Sequence, residues 1–139
     1  MLQVEEVMTA KIETIACEAS IQEAAVKMRD LGIGSLIAMD GNNPVGVITD
    51  RDVCCRVAGD GLDPRQTPVR HAMSGNVTCC FDDQDVIEAA RLMQDHCVRR
   101  LAVRDRSNRF VGLVSVDDLA RYSFDLASDV LVAASPAMH

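Results

Sequence analysis

Apolar residues along this chain fall into one pattern that is stated twice. A short run from Ile12 to Ala16 has the length and composition of a strand. Ile21, Ala24, Ala25, Met28 and Leu31 then recur at helical spacing. Ser20 stands just ahead of them with Glu23 three positions on, a capping-box pattern that marks a helix start. Two further apolar runs, Ser35 to Met39 and Val45 to Ile48, flank Asp40-Gly41-Asn42-Asn43-Pro44. That cluster is turn chemistry and predicts a hairpin. Thr49 ends the hairpin and begins a second helix. The order is therefore β-α-β-β-α. The second statement has a strand from Val77 to Phe81 and a helix capped by Asp85, with Glu88 three on. Val86, Ala89, Ala90, Met93 and Cys97 give that helix its apolar face. A hairpin follows from Leu101–Val103 and Phe110–Val114 around Arg104 to Arg109, and Ser115 begins the last helix of the unit.

Residue identity repeats with the pattern. Val7-Met8-Thr9 returns as Ala72-Met73-Ser74, Met28 as Met93, Leu36 as Leu101 and Asp40 as Asp105, always 65 positions on. After one inserted loop residue the spacing is 66, and Gly46-Val47-Ile48-Thr49 through Asp52 is echoed by Gly112-Leu113-Val114-Ser115 through Asp118. A period this long makes each copy one supersecondary unit that buries its apolar face on a neighbour. Two copies predict a pseudo-twofold axis with two related clefts. The expected organisation is α/β: repeat 1 over 1–60, a linker over 61–68, repeat 2 over 69–124, and a tail over 125–139. Ala58 to Pro68, rich in Gly, Pro and Asp, joins the copies. The tail's apolar-leaning stretch, Leu126 to Met138, reads as a helix extension that docks on the body or on a second subunit.

Composition narrows the function classes. The 139 residues form one domain-sized object. A net charge of −7 argues against a nucleic-acid binder, which needs a basic face. No stretch approaches the roughly 20 apolar residues that span a membrane, and residues 1–6 carry no basic leader. The six cysteines, Cys17, Cys54, Cys55, Cys79, Cys80 and Cys97, include two adjacent pairs and no C-x-x-C spacing. Adjacent pairs converge poorly on a metal, so they read as reduced, mostly buried small hydrophobes of a cytoplasmic protein. An enzyme reading finds little support. His71, His96 and His139 bear no recognisable relation to a nucleophile, and neither a dinucleotide fingerprint nor a Walker pattern occurs.

The candidate chemistry is Thr49-x-x-Asp52 and its echo Ser115-x-x-Asp118. Each falls where an apolar strand meets a helix N-terminus, which welcomes an anion. The hydroxyl can donate to a phosphate oxygen, and the carboxylate can accept from the two hydroxyls of a ribose. The same spacing is also a helix cap, and one group can serve both purposes. Recurrence after a Gly-led apolar strand in both copies is what favours the ligand reading.

The duplicated Gly-h-h-Thr/Ser-x-x-Asp ending, the Val-x-x-x-Met opening and the phrase Gly46-Val47-Ile48-Thr49-Asp50-Arg51-Asp52 resemble a tandem pair of cystathionine β-synthase (CBS) domains over residues 4–122. The resemblance implies two β-α-β-β-α repeats packed about a pseudo-twofold axis as a non-enzymatic sensor. It would bind an adenine nucleotide, AMP foremost, with ADP, ATP, NAD or S-adenosylmethionine as further candidates. It also implies a homodimer that signals to a regulated protein. No catalytic cofactor or metal is expected. Carried over by position, Asp52 and Asp118 would hold ribose, and Thr49, Arg51 and Ser115 would lie at the phosphate end. Thr14-Ile15 and Cys79-Cys80 would line the adenine pocket, with Ser35, Ile37 and Ala102 on the adjoining strands. Arg99-Arg100 would reach phosphate held at Thr49/Asp52. Copy one has the uncharged Gly34-Ser35 at the same place, so the Thr49/Asp52 cleft is the expected stronger site. The loss of a hydroxyl at Cys79-Cys80 points the same way. The alternatives are solvated surface charge for the arginine pair, and a ligand-free dimerisation or interaction module for the whole.

Overall fold

A computed structural model describes residues 2–75 and 77–134. The expected tail residues beyond 134, His139 included, lie outside the described residues. The chain divides into two compact units, Ile12–Val77 and a second made of Met1–Lys11 with Thr78–His139.

The first of these contains β1 (Thr14–Ala16), α2 (Ile21–Leu31), β2 (Ser35–Asp40), β3 (Asn43–Thr49), α3 (Asp50–Asp52) and α4 (Val69–Ala72). Its three strands are ordered β1-β2-β3, with β1 parallel to β2 and β2 antiparallel to β3. The other unit repeats this with β4 (Cys79–Phe81), α5 (Val86–His96), β5 (Arg100–Arg104), β6 (Phe110–Ser115) and α6 (Val116–Ala120). It adds α1 (Val4–Val7) at one end and α7 (Phe124–Ala134) at the other. The mixed α/β class and the doubled β-α-β-β-α order are as the hydrophobic pattern predicts. The opening strands are shorter than expected, and both hairpins extend further.

Period 2 on the strands and 3.6 on the helices builds each core. Leu36, Ala38 and Ile48 of the sheet meet Ile21, Ala24 and Met28 of α2. Leu101, Val103 and Val114 meet Val86, Ala89, Ala90 and Met93 of α5. Ser20 Oγ accepts from the Glu23 N–H at 3.1 Å. Asp85 caps α5 one residue earlier than its pattern suggests, accepting from the Ile87 N–H at 2.8 Å. Glu88 is held by Gln84 Nε2 instead.

The opening of each repeat is incorporated into the unit built by the other. In α1, the N–H groups of Val4 and Glu5 donate to the carbonyls of Gln84 and Asp82. In α4, those of Val69 and Arg70 donate to Ala19 and Cys17. Thr9 then pairs with Leu113 of β6, and Ser74 with Val47 of β3. Gly46 and Gly112 permit these approaches. A β-carbon at Gly46 would lie 2.7 Å from the Ser74 carbonyl oxygen, and one at Gly112 would lie 2.7 Å from that of Thr9.

Three expectations are corrected. Leu31 and Cys97 are exposed rather than part of the helical apolar faces. Leu31 occupies the last position of α2, and Cys97 lies just past α5 in the left-handed conformation, φ 53°. Only Cys17 and Cys80 of the cysteines are buried; Cys79 is intermediate, and Cys54, Cys55 and Cys97 are exposed. The tail does dock on the body of its own unit, where Ala127 and Val130 of α7 join the core.

Gly32 fills the position equivalent to Cys97 in copy one, at φ 65°. A side chain with a β-carbon is strained there by about 1 kcal/mol. Cys97→Gly is therefore expected to stabilise the protein by somewhat less than that, read as a rise in the urea midpoint with an unchanged slope.

Candidate functional site

Antiparallel and parallel pairing bring most of the predicted residues of each copy to one end of a sheet. β1 and β2 run parallel, so both begin at the end where β3 finishes. In register, Thr14 stands opposite Ile37 and Ser35 opposite Thr49. The Asp50 N–H donates to the Gly34 carbonyl at 3.0 Å, fastening the start of α3 to the start of β2. Thr14, Ile15, Ser35, Thr49 and Asp52 are half-buried, Arg51 is exposed, and Ile37 is buried on the face opposite Leu36 and Ala38. Copy two matches it. Cys79 stands opposite Ala102 and Arg100 opposite Ser115, and the Val116 N–H donates to the Arg99 carbonyl at 2.9 Å.

Both hydroxyl–carboxylate pairs form reciprocal capping boxes. Thr49 Oγ1 accepts from the Asp52 N–H at 3.1 Å, and Asp52 Oδ2 accepts from the Thr49 N–H at 3.0 Å. In copy two, Ser115 Oγ accepts from the Asp118 N–H at 3.2 Å, and Asp118 Oδ2 accepts from both the Ser115 N–H (2.9 Å) and the Ser115 hydroxyl (3.1 Å). The capping reading of the spacing is thus correct for both. Each box leaves Oδ1 without a hydrogen bond among the described residues, and the copies differ in burial and in neighbours. Asp118 is buried, at 7% exposure, and one of its oxygens takes two hydrogen bonds. Asp52 keeps Oδ1 outside the box, 3.9 Å from Arg56 Nε.

The helix begun at Thr49 widens after one turn. Residues Val53–Ala58 coil in the π manner, with the Gly59 N–H donating to the Cys54 carbonyl five residues back at 2.8 Å. A β-carbon at Gly59 would lie 2.5 Å from the Cys55 carbonyl oxygen. Nothing in the residue pattern announces this segment. It swings Arg56 over the carbonyls of Ala72 and Met73, which Nη1 reaches at 3.2 and 3.4 Å. Arg56 and Asp50 are charged residues near the site that the motif reading omits. Asp50, Gly34, Ile33, Met28 and Val53 help line a cavity of about 480 Å³ beside the start of α3.

Arg99 and Arg100 are both exposed, and among the described residues neither makes an ion pair. They are solvated charges with no acid within 4 Å among the described residues. Other arginines do pair with acids. Arg106 lies over the Phe81 ring and binds Asp83 at 2.8 Å, which holds the Asp83 carboxyl below its usual range. Asp83 and Asp85 are therefore used locally, in this pair and in the α5 cap. Cys80 contributes no thiol to a ligand surface, since its side chain lies in the core. Burial, helped by Cys79 and Asp82, pushes its thiol up to about 12. Iodoacetamide at pH 8 is expected to label the exposed Cys54, Cys55 and Cys97 and to spare Cys17 and Cys80 until the protein is unfolded. Peptide mapping by mass spectrometry reads this directly.

The duplicated fold and the paired helix starts agree with comparison to known proteins. The CBS domain family model matches residues 4–59 and 69–125, and the chain belongs to that family as a tandem pair. The CBS domain-containing protein YhcV of Bacillus subtilis is 34% identical over 120 residues, covering 86% of this chain and 84% of that protein. Another curated relative, 37% identical over 98 residues, is spanned over only half its length. Among solved structures, the conserved CBS domain protein TA0289 of Thermoplasma acidophilum superposes with a TM-score of 0.79 at 28% identity, over 95% of this chain and 75% of that one. The CBS domain pair of MJ0100, solved in complex with 5′-methylthioadenosine and S-adenosyl-L-methionine, gives 0.71 at 25% identity, over 88% and 95%. No helix of the described residues is long and apolar enough to cross a membrane.

Proposed function

We propose that this chain is a regulatory ligand sensor that takes an adenosine ligand, AMP foremost, at the Thr49–Asp52 helix start and reports its occupancy to a partner protein. The observation that carries this reading is the spare Oδ1 of Asp52. The carboxylate is held by its box through one oxygen, while the other takes no hydrogen bond and is the proposed acceptor for ribose hydroxyls. Thr14, Ile15 and Ile37 give the purine an apolar wall at the same sheet end. Arg99 and Arg100, which make no ion pair among the described residues, are cations whose planar forks suit a phosphate. The adenosine compounds in the MJ0100 pair support the ligand class. Copy two is the weaker site, because its carboxylate is the more buried of the two and its sheet end carries Cys79-Cys80 in place of a hydroxyl. The sensor acts as a homodimer without catalytic chemistry. It needs only differential affinity for two conformations.

One observation favours a second reading, in which the module is a ligand-free dimerisation or docking unit. Both carboxylates already serve as helix caps through Oδ2. Thermal unfolding against AMP, ADP, ATP, NAD and S-adenosylmethionine separates the two. A shift with one adenosine ligand is expected, and none with any of the five would move the assignment to the docking unit.

A further inference from the structure

Arg56 makes a connection that has no counterpart in copy two. Its Nε faces Oδ1 of Asp52 at 3.9 Å, beyond hydrogen-bond reach. The carboxylate oxygen is therefore held electrostatically while its lone pairs stay open. The same guanidinium donates from Nη1 to the carbonyls of Ala72 and Met73. Those carbonyls belong to the end of α4 and the residue after it, which leads into the Ser74–Val47 bridge. In copy two the equivalent opening is docked in the same way, through Thr9 and Leu113. The residue 66 positions after Arg56, however, is Tyr122, exposed and without a guanidinium. The docking of an opening segment thus does not require the arginine.

On the reading of Asp52 as a ligand-binding carboxylate, we propose that Arg56 is a positioning residue that fixes Asp52 Oδ1 for the ligand and ties it to the segment leading into the second repeat. A guanidinium can do both because its donors fan out in one plane. Two ribose hydroxyls donating to Asp52 drain charge from Oδ1 and weaken its pull on Arg56. The hold on Ala72 and Met73 changes with it. Occupancy at the copy-one carboxylate is in this way felt at α4, within one unit of the fold. A plainer role, in which Arg56 merely caps the carbonyl end of α4, needs no contribution from Asp52.

The two roles separate in a double-mutant cycle of Asp52→Asn and Arg56→Met, with Arg56→Lys as a milder variant should the methionine fail to fold. Amide exchange is followed in the ligand-free protein at Met73 and Ser74, which donate to the carbonyls of Val69 and Val47. Both single variants are expected to speed exchange, and the double variant to be no faster than Arg56→Met. Normal exchange in Asp52→Asn, or simple additivity, would overturn the proposal and leave the capping role. AMP titration of the same variants supplies the second reading. Arg56→Met should bind roughly tenfold more weakly, a size expected of coupled neighbours, and should have no further effect once Asp52 is Asn. Unchanged AMP affinity in Arg56→Met would also overturn it. If the wild-type protein binds no adenosine ligand, the sensor function falls, while the exchange cycle still decides the Arg56–Asp52 coupling.

Discussion

Asp52→Ala is expected to abolish the thermal shift that AMP gives the wild-type protein. With ligand at 100 times its dissociation constant, the wild type should gain about 2.7 kcal/mol. The variant should gain nothing, because the carboxylate proposed to accept both ribose hydroxyls is gone. The ligand-free variant will also melt earlier. Its Thr49 N–H loses its partner, and a lost helix cap costs about 1 kcal/mol. The quantity to compare is therefore the ligand-induced shift and not the melting temperature. Asp118→Ala should behave in the opposite way. Its carboxylate is buried and accepts two hydrogen bonds from Ser115, so removing it leaves more donors unpaired and costs about 1–3 kcal/mol. Most of the AMP shift should survive. A full AMP shift in Asp52→Ala with none in Asp118→Ala would reverse the order of the two sites.

How legible this molecule was in its sequence depends on the range of the interaction. Helix faces and hairpins are local, and Ile21, Ala24 and Met28 or Val86, Ala89 and Met93 announce them through spacing alone. The capping boxes at Thr49 and Ser115 are equally local, needing only three residues of reach. Errors appear where local rules end. Cys97 continues the 3.6-residue period on paper, but the helix stops at His96 and the next residue turns left-handed. Val4–Val7 and Val69–Ala72 read only as openings, since nothing in either tetrapeptide says which sheet it will join. Arg56 was invisible for a related reason. In an ordinary α-helix it would follow Asp52 as an i,i+4 partner and no more. The π coil of Val53–Ala58 is what directs it onto α4, and that coil depends on Gly59 lying against the Cys55 carbonyl.

The exchange of opening segments makes the second large prediction. Gly46→Ala should destabilise the protein by about 1–3 kcal/mol, the range for a forced insertion into a packed site. The added methyl would come within 2.7 Å of the Ser74 carbonyl oxygen and 2.5 Å of Met73 Sδ. A methionine end can swing away cheaply. The carbonyl cannot, because Ser74 and Val47 exchange two hydrogen bonds of 2.9 Å each. Relief must come from lifting the segment off β3, which also strips Arg56 of its carbonyl partners. Gly112→Ala applies the same insult at the Thr9 carbonyl, 2.7 Å from the new methyl. The two variants should therefore lose stability alike but diverge in ligand response. Gly46→Ala should weaken AMP binding along with the Arg56–Asp52 contact, whereas Gly112→Ala should leave that contact untouched. Urea unfolding gives the first comparison and AMP titration the second. Amide exchange at Val47 and Ser74 in one variant, and at Thr9 and Leu113 in the other, shows whether the lost stability comes from the displaced segment. If both variants keep wild-type stability and protection, the openings are not docked through Gly46 and Gly112.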